Sequence, residues 1–332
     1  MLGFTKNTPQ PHKDHAACSG CSLCLLVCPV WRRSRDIGLT PLGRAKALQY
    51  GAAAADIAAS VQSCTLCAAC EPVCPEEIGL VAMTLDLRRQ LVQPATAQSL
   101  RSRMDGQAAR PPAQPLSALM ALLPGEALRA RPATLARAAA LLGGERDLAV
   151  AGDDGADIAL ALEAGLPVPA QRLERFLQPL RRLKKILVAD GLLLRQLRTW
   201  LPGAQVTSLG AALSGLPAVR RALRANDLYV IEPHAYHADY QRLVRHYDAL
   251  RSSAGCAVNL DLQRIAIPAA ARSLPQRLGL QQADDGMQTR WILQGLDVAR
   301  IVVECVEDGA AFERVSKLPV VHLADLADDG SS

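Results

Sequence analysis

The spacing of apolar residues changes character twice along this chain. Residues 43–60 are rich in alanine and read as helix. From Ile78 to Leu91 the residues Leu80, Met83, Leu87 and Leu91 fall on one helical stripe. Regularity then fades between Pro94 and Gly144, where prolines stand at 94, 111, 112, 115, 124 and 132 among many alanines. That composition predicts a linker with short helices wrapping the joint between two domains. Beyond Arg146 short apolar runs recur at Leu148–Ala151, Lys185–Ala189, Leu228–Glu232, Arg264–Ile267, Ile301–Glu304 and Val320–Leu323. Amphipathic stretches such as Leu192–Leu201 and Tyr240–Leu250 lie between them. Strand, loop and helix in alternation predict an α/β domain with a mainly parallel sheet. The expected division is therefore a helical unit at 1–93, a Pro/Ala-rich linker at 94–145 and an α/β domain at 146–332.

One internal echo sits in the α/β part. Asp227-Leu-Tyr-Val-Ile-Glu232-Pro233 and Ala299-Arg-Ile-Val-Val-Glu304-Cys305 each run as a buried strand that ends in Glu before a helix. Two related half-domains would produce such an echo, and so would any pair of parallel strands.

Composition narrows the function classes. The chain has 332 residues, half of them apolar and only 3% aromatic. Leucine, alanine and valine must build the core. A net charge of +5 is too small and too dispersed for a nucleic-acid face, and no nucleic-acid motif accompanies it. Met1–His15 lacks the apolar stretch of a signal peptide, and no run reaches the roughly 18 to 20 apolar residues that span a bilayer. The expected location is the cytoplasm, soluble or peripheral at the inner face of a membrane.

The chemistry is concentrated in cysteine. Eight of the ten cysteines form two copies of C-x2-C-x2-C-x3-C-P, at Cys18, Cys21, Cys24, Cys28-Pro29 and at Cys64, Cys67, Cys70, Cys74-Pro75. Bacterial two-cluster ferredoxins use this spacing to hold two 4Fe-4S cubanes. Three thiolates on one tight loop occupy three corners of a cubane, and the fourth cysteine reaches the other cluster. By that rule Cys18, Cys21, Cys24 and Cys74 hold one cluster, and Cys64, Cys67, Cys70 and Cys28 hold the second. Structural zinc sites pair two C-x2-C units at longer intervals, so a threefold string fits them poorly. A disulfide framework suits small secreted domains, not this chain.

Other candidate groups carry less. Glu232, His234 and His237, with His246 and Cys256 further on, include zinc-binding residue types, yet His234 and His237 begin a helix and read as surface or capping histidines. Cys256 and Cys305 read as small core residues. Arg32, Arg33, Arg35, Arg88 and Arg89 flank the cysteine strings. They would raise a cluster's potential or steer an acidic partner, or else form ordinary solvated faces. Gly152-Asp-Asp-Gly155 lacks the order of a dinucleotide loop. Walker, G-x-S-x-G and H-E-x-x-H motifs are missing from the sequence.

Thr40-Pro41-Leu42-Gly43-Arg44 and Ser63–Pro75 make the N-terminal unit resemble the helical ferredoxin domain of the heterodisulfide reductase and glycolate oxidase iron-sulfur subunits. The iron-sulfur subunit of anaerobic glycerol-3-phosphate dehydrogenase is similar there. Members of that family commonly continue into a domain called CCG, which can bind a further cluster. Here Ala269 stands where a ligand cysteine is expected, Ala283-Asp284-Asp285-Gly286 replaces Cys-Cys-Gly, and the closing C-x2-C is reduced to Cys305 and Asp308. The resemblance thus implies a CCG-like scaffold without cluster ligands and no catalytic residue in this chain. It implies an electron-transfer subunit relaying single electrons through two 4Fe-4S clusters, between a flavoprotein or other redox subunit and a downstream acceptor. Any membrane association would run through a partner. The alternative is a structural or redox-sensing iron-sulfur protein without turnover.

Overall fold

A computed structural model describes residues 12–110, 116, 118–261, 264–270, 272–282 and 286–328. The N-terminal unit is helical: α1 (Leu23–Leu26), α2 (Pro29–Ser34), α3 (Pro41–Gln49), α4 (Ala58–Ser63) and α5 (Leu80–Leu91). Pro29 and Pro41 stand in the first turns of α2 and α3, where the missing N–H has no partner to lose and φ is already helical. Thr40 caps α3 by accepting from the Gly43 N–H at 3.2 Å. A Cβ on Gly43 would lie 2.1 Å from the Ile37 carbonyl oxygen, so α3 starts directly on the preceding turn. The stripe predicted on α5 is one of two buried faces. Leu87, Met83 and Leu91 pack with Ala54 and Val61, while Val81 and Leu85 pack with Leu66, Ala68 and Leu192.

The α/β region holds two parallel four-stranded sheets. The first contains β1 (Met120–Leu123), β2 (Leu148–Val150), β3 (Lys185–Val188) and β4 (Gln205–Ser208), in the order β2-β1-β3-β4. The second contains β5 (Asp227–Val230), β6 (Ala257–Val258), β9 (Arg300–Val303) and β10 (Val320–His322), in the order β6-β5-β9-β10. Between β6 and β9 sits a small antiparallel pair, β7 (Leu260–Asp261) with β8 (Ile265–Ala266). Both sheets place their strands second, first, third, fourth in chain order. The α/β region is therefore two half-domains of one topology. The echo read between Asp227–Pro233 and Ala299–Cys305 joins β5 and β9, neighbours in one sheet with Leu228 opposite Ile301. It is not the repeat, whose halves begin at β1 and β5.

The segment read as a linker is built into the first half-domain. Pro94 and Pro132 open helices, α6 (Pro94–Ala109) and the helix Pro132–Leu141, so these prolines mark helix starts rather than loops. Pro111, Pro112 and Pro115 lie outside the described residues. β1 is an inner strand hydrogen-bonded on both sides, to β2 and β3. Its run of four apolar residues carries no alternation because both faces are covered. β4 escaped the pattern for the opposite reason, since Gln, Thr and Ser interrupt it. Ala97, Leu100 and Met104 of α6 pack with Ala161, Ala164 and Leu166. The two halves share a core in which Leu122 and Leu187 cluster with Tyr229 and Val302. No helix among the described residues is long and apolar enough to cross a membrane.

Candidate iron-sulfur centres

The two cysteine strings adopt the same loop. Gly20 and Ser22 have φ of 84° and 67°, and at the equivalent places of the second string Leu66 and Ala68 have φ of 53° and 59°. Left-handed backbone costs an L-residue roughly 1–2 kcal/mol. The second loop bears that cost twice, at residues with a Cβ. What offsets it is the placement of donors. The Leu66 N–H is directed at the Cys64 sulfur, and the Ala69 N–H and Thr65 hydroxyl at that of Cys67.

The thiols gather in two sets. Burial and then the neighbouring thiols of Cys28, Cys18, Cys21 and Cys74 push the Cys24 thiol up to about 12. Burial, Glu71, Cys67, Cys64 and Cys28 push the Cys70 thiol well above its ordinary value. Cys67 is pushed up to about 12, chiefly by burial, with Cys28 and Cys64 adding to it. Cys64 differs: burial pushes it up, but Arg44, Arg88 and the Leu66 N–H outweigh that, and the net direction is down. Cys74 of the second string thus neighbours Cys24, and Cys28 stands between the sets, neighbouring Cys24 as well as Cys64, Cys67 and Cys70. Cys28, Cys64, Cys67 and Cys70 also line one cavity.

This donor set fits iron-sulfur clusters. Buried thiols that raise one another ionise when a cation binds among them, since the thiolate is the metal-binding form. Among the described residues, no group of three His, Cys, Asp or Glu side chains converges closely enough to hold a single ion.

Each loop is held by carbonyl contacts, and the holders differ. In the first loop the Cys18 carbonyl accepts from Lys46 Nζ at 2.9 Å and Gln49 Nε2 at 3.0 Å, both on α3. In the second, Arg88 Nη2 donates to the Cys64 carbonyl at 2.5 Å. His234 Nε2 donates to the Thr65 carbonyl at 3.1 Å, and His237 Nδ1 to the Cys67 carbonyl at 2.7 Å. The histidines are therefore not surface or capping groups but clamps from the second half-domain onto the second cysteine loop. Arg88, 1% exposed, and Arg32, stacked 3.8 Å from the Trp291 ring centroid and paired with Asp261, are not solvated faces either. Arg35 and Arg89 are exposed.

The remaining candidates are dispersed. His246 Nε2 lies 2.8 Å from the Ser214 hydroxyl, and Cys256 packs in the shared core. Cys305, half-buried, lines a cavity of about 300 Å³ with Thr65, Leu66, Glu163, His234 and Arg277. The cavity sits where the C-terminal ends of both sheets meet the second cysteine loop, and sequence reasoning missed it because each half-domain supplies only one wall. Ala269 is a buried core residue beside Ile267 and Ile292. Ala283, Asp284 and Asp285 lie outside the described residues.

No curated protein and no solved structure matches the chain. Residues 14–78 match the family model described as the 4Fe-4S dicluster domain. That match spans all eight cysteines of the two strings, so the helical N-terminal unit is a dicluster ferredoxin domain for two 4Fe-4S clusters, followed by an α/β region with parallel sheets.

Proposed function

We propose that the chain is the electron-transfer subunit of an oxidoreductase complex, passing single electrons between a flavoprotein dehydrogenase or reductase and a downstream acceptor. In this reading Cys18, Cys21, Cys24 and Cys74 hold one cluster, and Cys64, Cys67, Cys70 and Cys28 the other. The observation that carries it is the unequal exposure of the two sets. Cys21 is exposed, whereas Cys28 and Cys67 are buried. When bound, the clusters supply one-electron carriage. The chain's own residues keep water from the second set and leave the first open to a partner. Exposed Leu23 and Leu26, which follow Cys21 in the same string, add apolar surface there. The α/β region, CCG-like but with Ala269 in its core and Cys256 packed among apolar side chains, serves as scaffold and wall rather than as a third metal centre.

Anaerobic purification with iron and sulfide quantification tests this reading. About eight iron atoms per chain are expected for two cubanes, with electron paramagnetic resonance signals that appear on reduction by a copurifying flavoprotein. A chain that dithionite reduces but no copurifying redox protein does would count against the relay.

A further inference from the structure

We propose that His234 and His237 are positioning residues for the second thiol set, fixing the left-handed turns from which N–H donors reach its sulfurs and so setting that cluster's reduction potential. The inference rests on the reading of Cys28, Cys64, Cys67 and Cys70 as one cluster's ligands.

The connection runs through peptide planes. His234 Nε2 donates to the Thr65 carbonyl at 3.1 Å, and the N–H of that same peptide group, on Leu66, points at the Cys64 sulfur. A donor on the carbonyl end polarises the peptide and strengthens its N–H toward sulfur. His237 holds the next but one peptide group. Its Nδ1 donates to the Cys67 carbonyl at 2.7 Å, at the entrance to left-handed Ala68, and the Ala69 N–H beyond it reaches the Cys67 sulfur. Both left-handed turns of the loop are thereby fixed from outside.

The two rings are themselves immobilised. His234 Nδ1 lies 2.8 Å from Glu232 Oε1, so its two nitrogens face two acceptors and both donate. His237 Nε2 accepts from the Ala266 N–H at 3.2 Å, which leaves Nδ1 as the donor and no ring nitrogen spare. Glu232 also caps the helix that carries both rings, accepting from the His234 and Ala235 N–H groups at 2.9 and 2.7 Å. The first loop takes its contacts to the Cys18 carbonyl from Lys46 and Gln49 of its own unit. Through these two rings the α/β region holds peptide groups of the second loop, and the Cys18 carbonyl of the first is held from α3 alone.

Reduction adds negative charge to a cluster, and hydrogen bonds to its sulfurs stabilise that charge. Removing either clamp should lower the potential of the second cluster alone. The test is a redox titration of the full chain followed by electron paramagnetic resonance, with the second cluster's couple assigned by its loss in Cys67→Ser. His234→Leu and His237→Leu should each shift that couple's reduction equilibrium at least tenfold, about 59 mV for one electron, with the other couple unmoved. His234→Gln and His237→Asn, whose amides replace Nε2–H and Nδ1–H, should stay within about threefold of the parent. Unshifted Leu variants, or equal shifts at both couples, would overturn the proposal. Should a Leu variant lose iron, the amide variants still decide it, because a tenfold shift despite a retained donor contradicts the mechanism. A parent chain with about four iron atoms and one couple would instead remove the two-cluster reading beneath it.

Discussion

Arg88 Nη2 donates to the carbonyl oxygen of Cys64 at 2.5 Å while its Nη1 donates to that of Glu163 at 2.7 Å, joining a cysteine loop to the first half-domain through one buried guanidinium. Its Nε also donates to the Val61 carbonyl at 3.3 Å. Three carbonyls therefore share one planar fork, while the Glu163 carboxylate, 3.8 Å from Arg88 Nη1, is held at 2.7 Å by Arg277. Arg88→Met should take this donor from three buried carbonyls and cost about 3–5 kcal/mol, at about 1–3 kcal/mol for each acceptor left unsatisfied. Arg88→Lys should cost about 1–3 kcal/mol, because a single ammonium cannot serve three diverging acceptors. Denaturant unfolding of the iron-loaded chain measures both. A Met variant as stable as the parent would mean that Arg88 is no tie.

Crossed ligation has a signature that uncrossed ligation lacks. If Cys28 serves the second set, Cys28→Ser should abolish the same paramagnetic signal as Cys67→Ser and spare the one lost in Cys21→Ser. Each variant should retain roughly half of about eight iron atoms. Cys28→Ser paired with Cys21→Ser would show that each string keeps its own four ligands.

The cysteine strings and most strands were legible because they depend on local rules: cubane ligands repeat at short intervals, and a buried strand needs an apolar run. Met120–Leu123 was not, since prolines on either side read as linker when Pro132 in fact opens a helix. The clamps were also hidden. His237 meets a carbonyl 170 residues away in sequence, and nothing in Pro-His-Ala-Tyr-His distinguishes such a histidine from one at an ordinary helix start. The left-handed residues of the first loop fall on Gly20 and Ser22, where glycine hints at them. Leu66 and Ala68 give no hint, so the likeness of the two loops becomes visible only in the backbone angles.

His234 should make stability depend on pH. Burial lowers its pKa, but the hydrogen bond and charge of Glu232 outweigh that and raise it to about 9. A folded value above the unfolded one, about 6.5, gives a contribution that is full below pH 6.5 and is lost as pH rises through 9. Glu304 and Asp308, both raised to about 7 chiefly by burial, lower stability as pH rises from about 4 toward 7. His237 and His246, pulled chiefly by burial to about 3 and about 4, lower it as pH falls below about 6.5. The two pairs oppose each other on the acid side. Between pH 7 and 8, below the range in which the buried Cys256 and Cys305 thiols, both raised by burial, add a fall of their own, the fall belongs to His234, with a slope of up to about 1.4 kcal/mol per unit. Denaturant unfolding across that range should show the decline in the parent and a flat profile in His234→Gln.

Gly191 tests the joint that carries the clamps. It opens the helix Gly191–Trp200 of the first half-domain, and a Cβ there would lie 2.3 Å from the Ala235 nitrogen and 2.5 Å from His234 Cβ. Backbone cannot yield as a flexible side-chain end can, so Gly191→Ala must push the helix bearing His234 and His237 away. Overpacking of this kind costs about 1–3 kcal/mol. Because the moved helix holds the Thr65 and Cys67 carbonyls, the same substitution should broaden or shift the second cluster's paramagnetic signal and leave the first unchanged. Gly203→Ala, where an added Cβ meets nothing within 4 Å, serves as the control. A Gly191→Ala chain with parental stability and spectra would show that the two half-domains do not meet at this point.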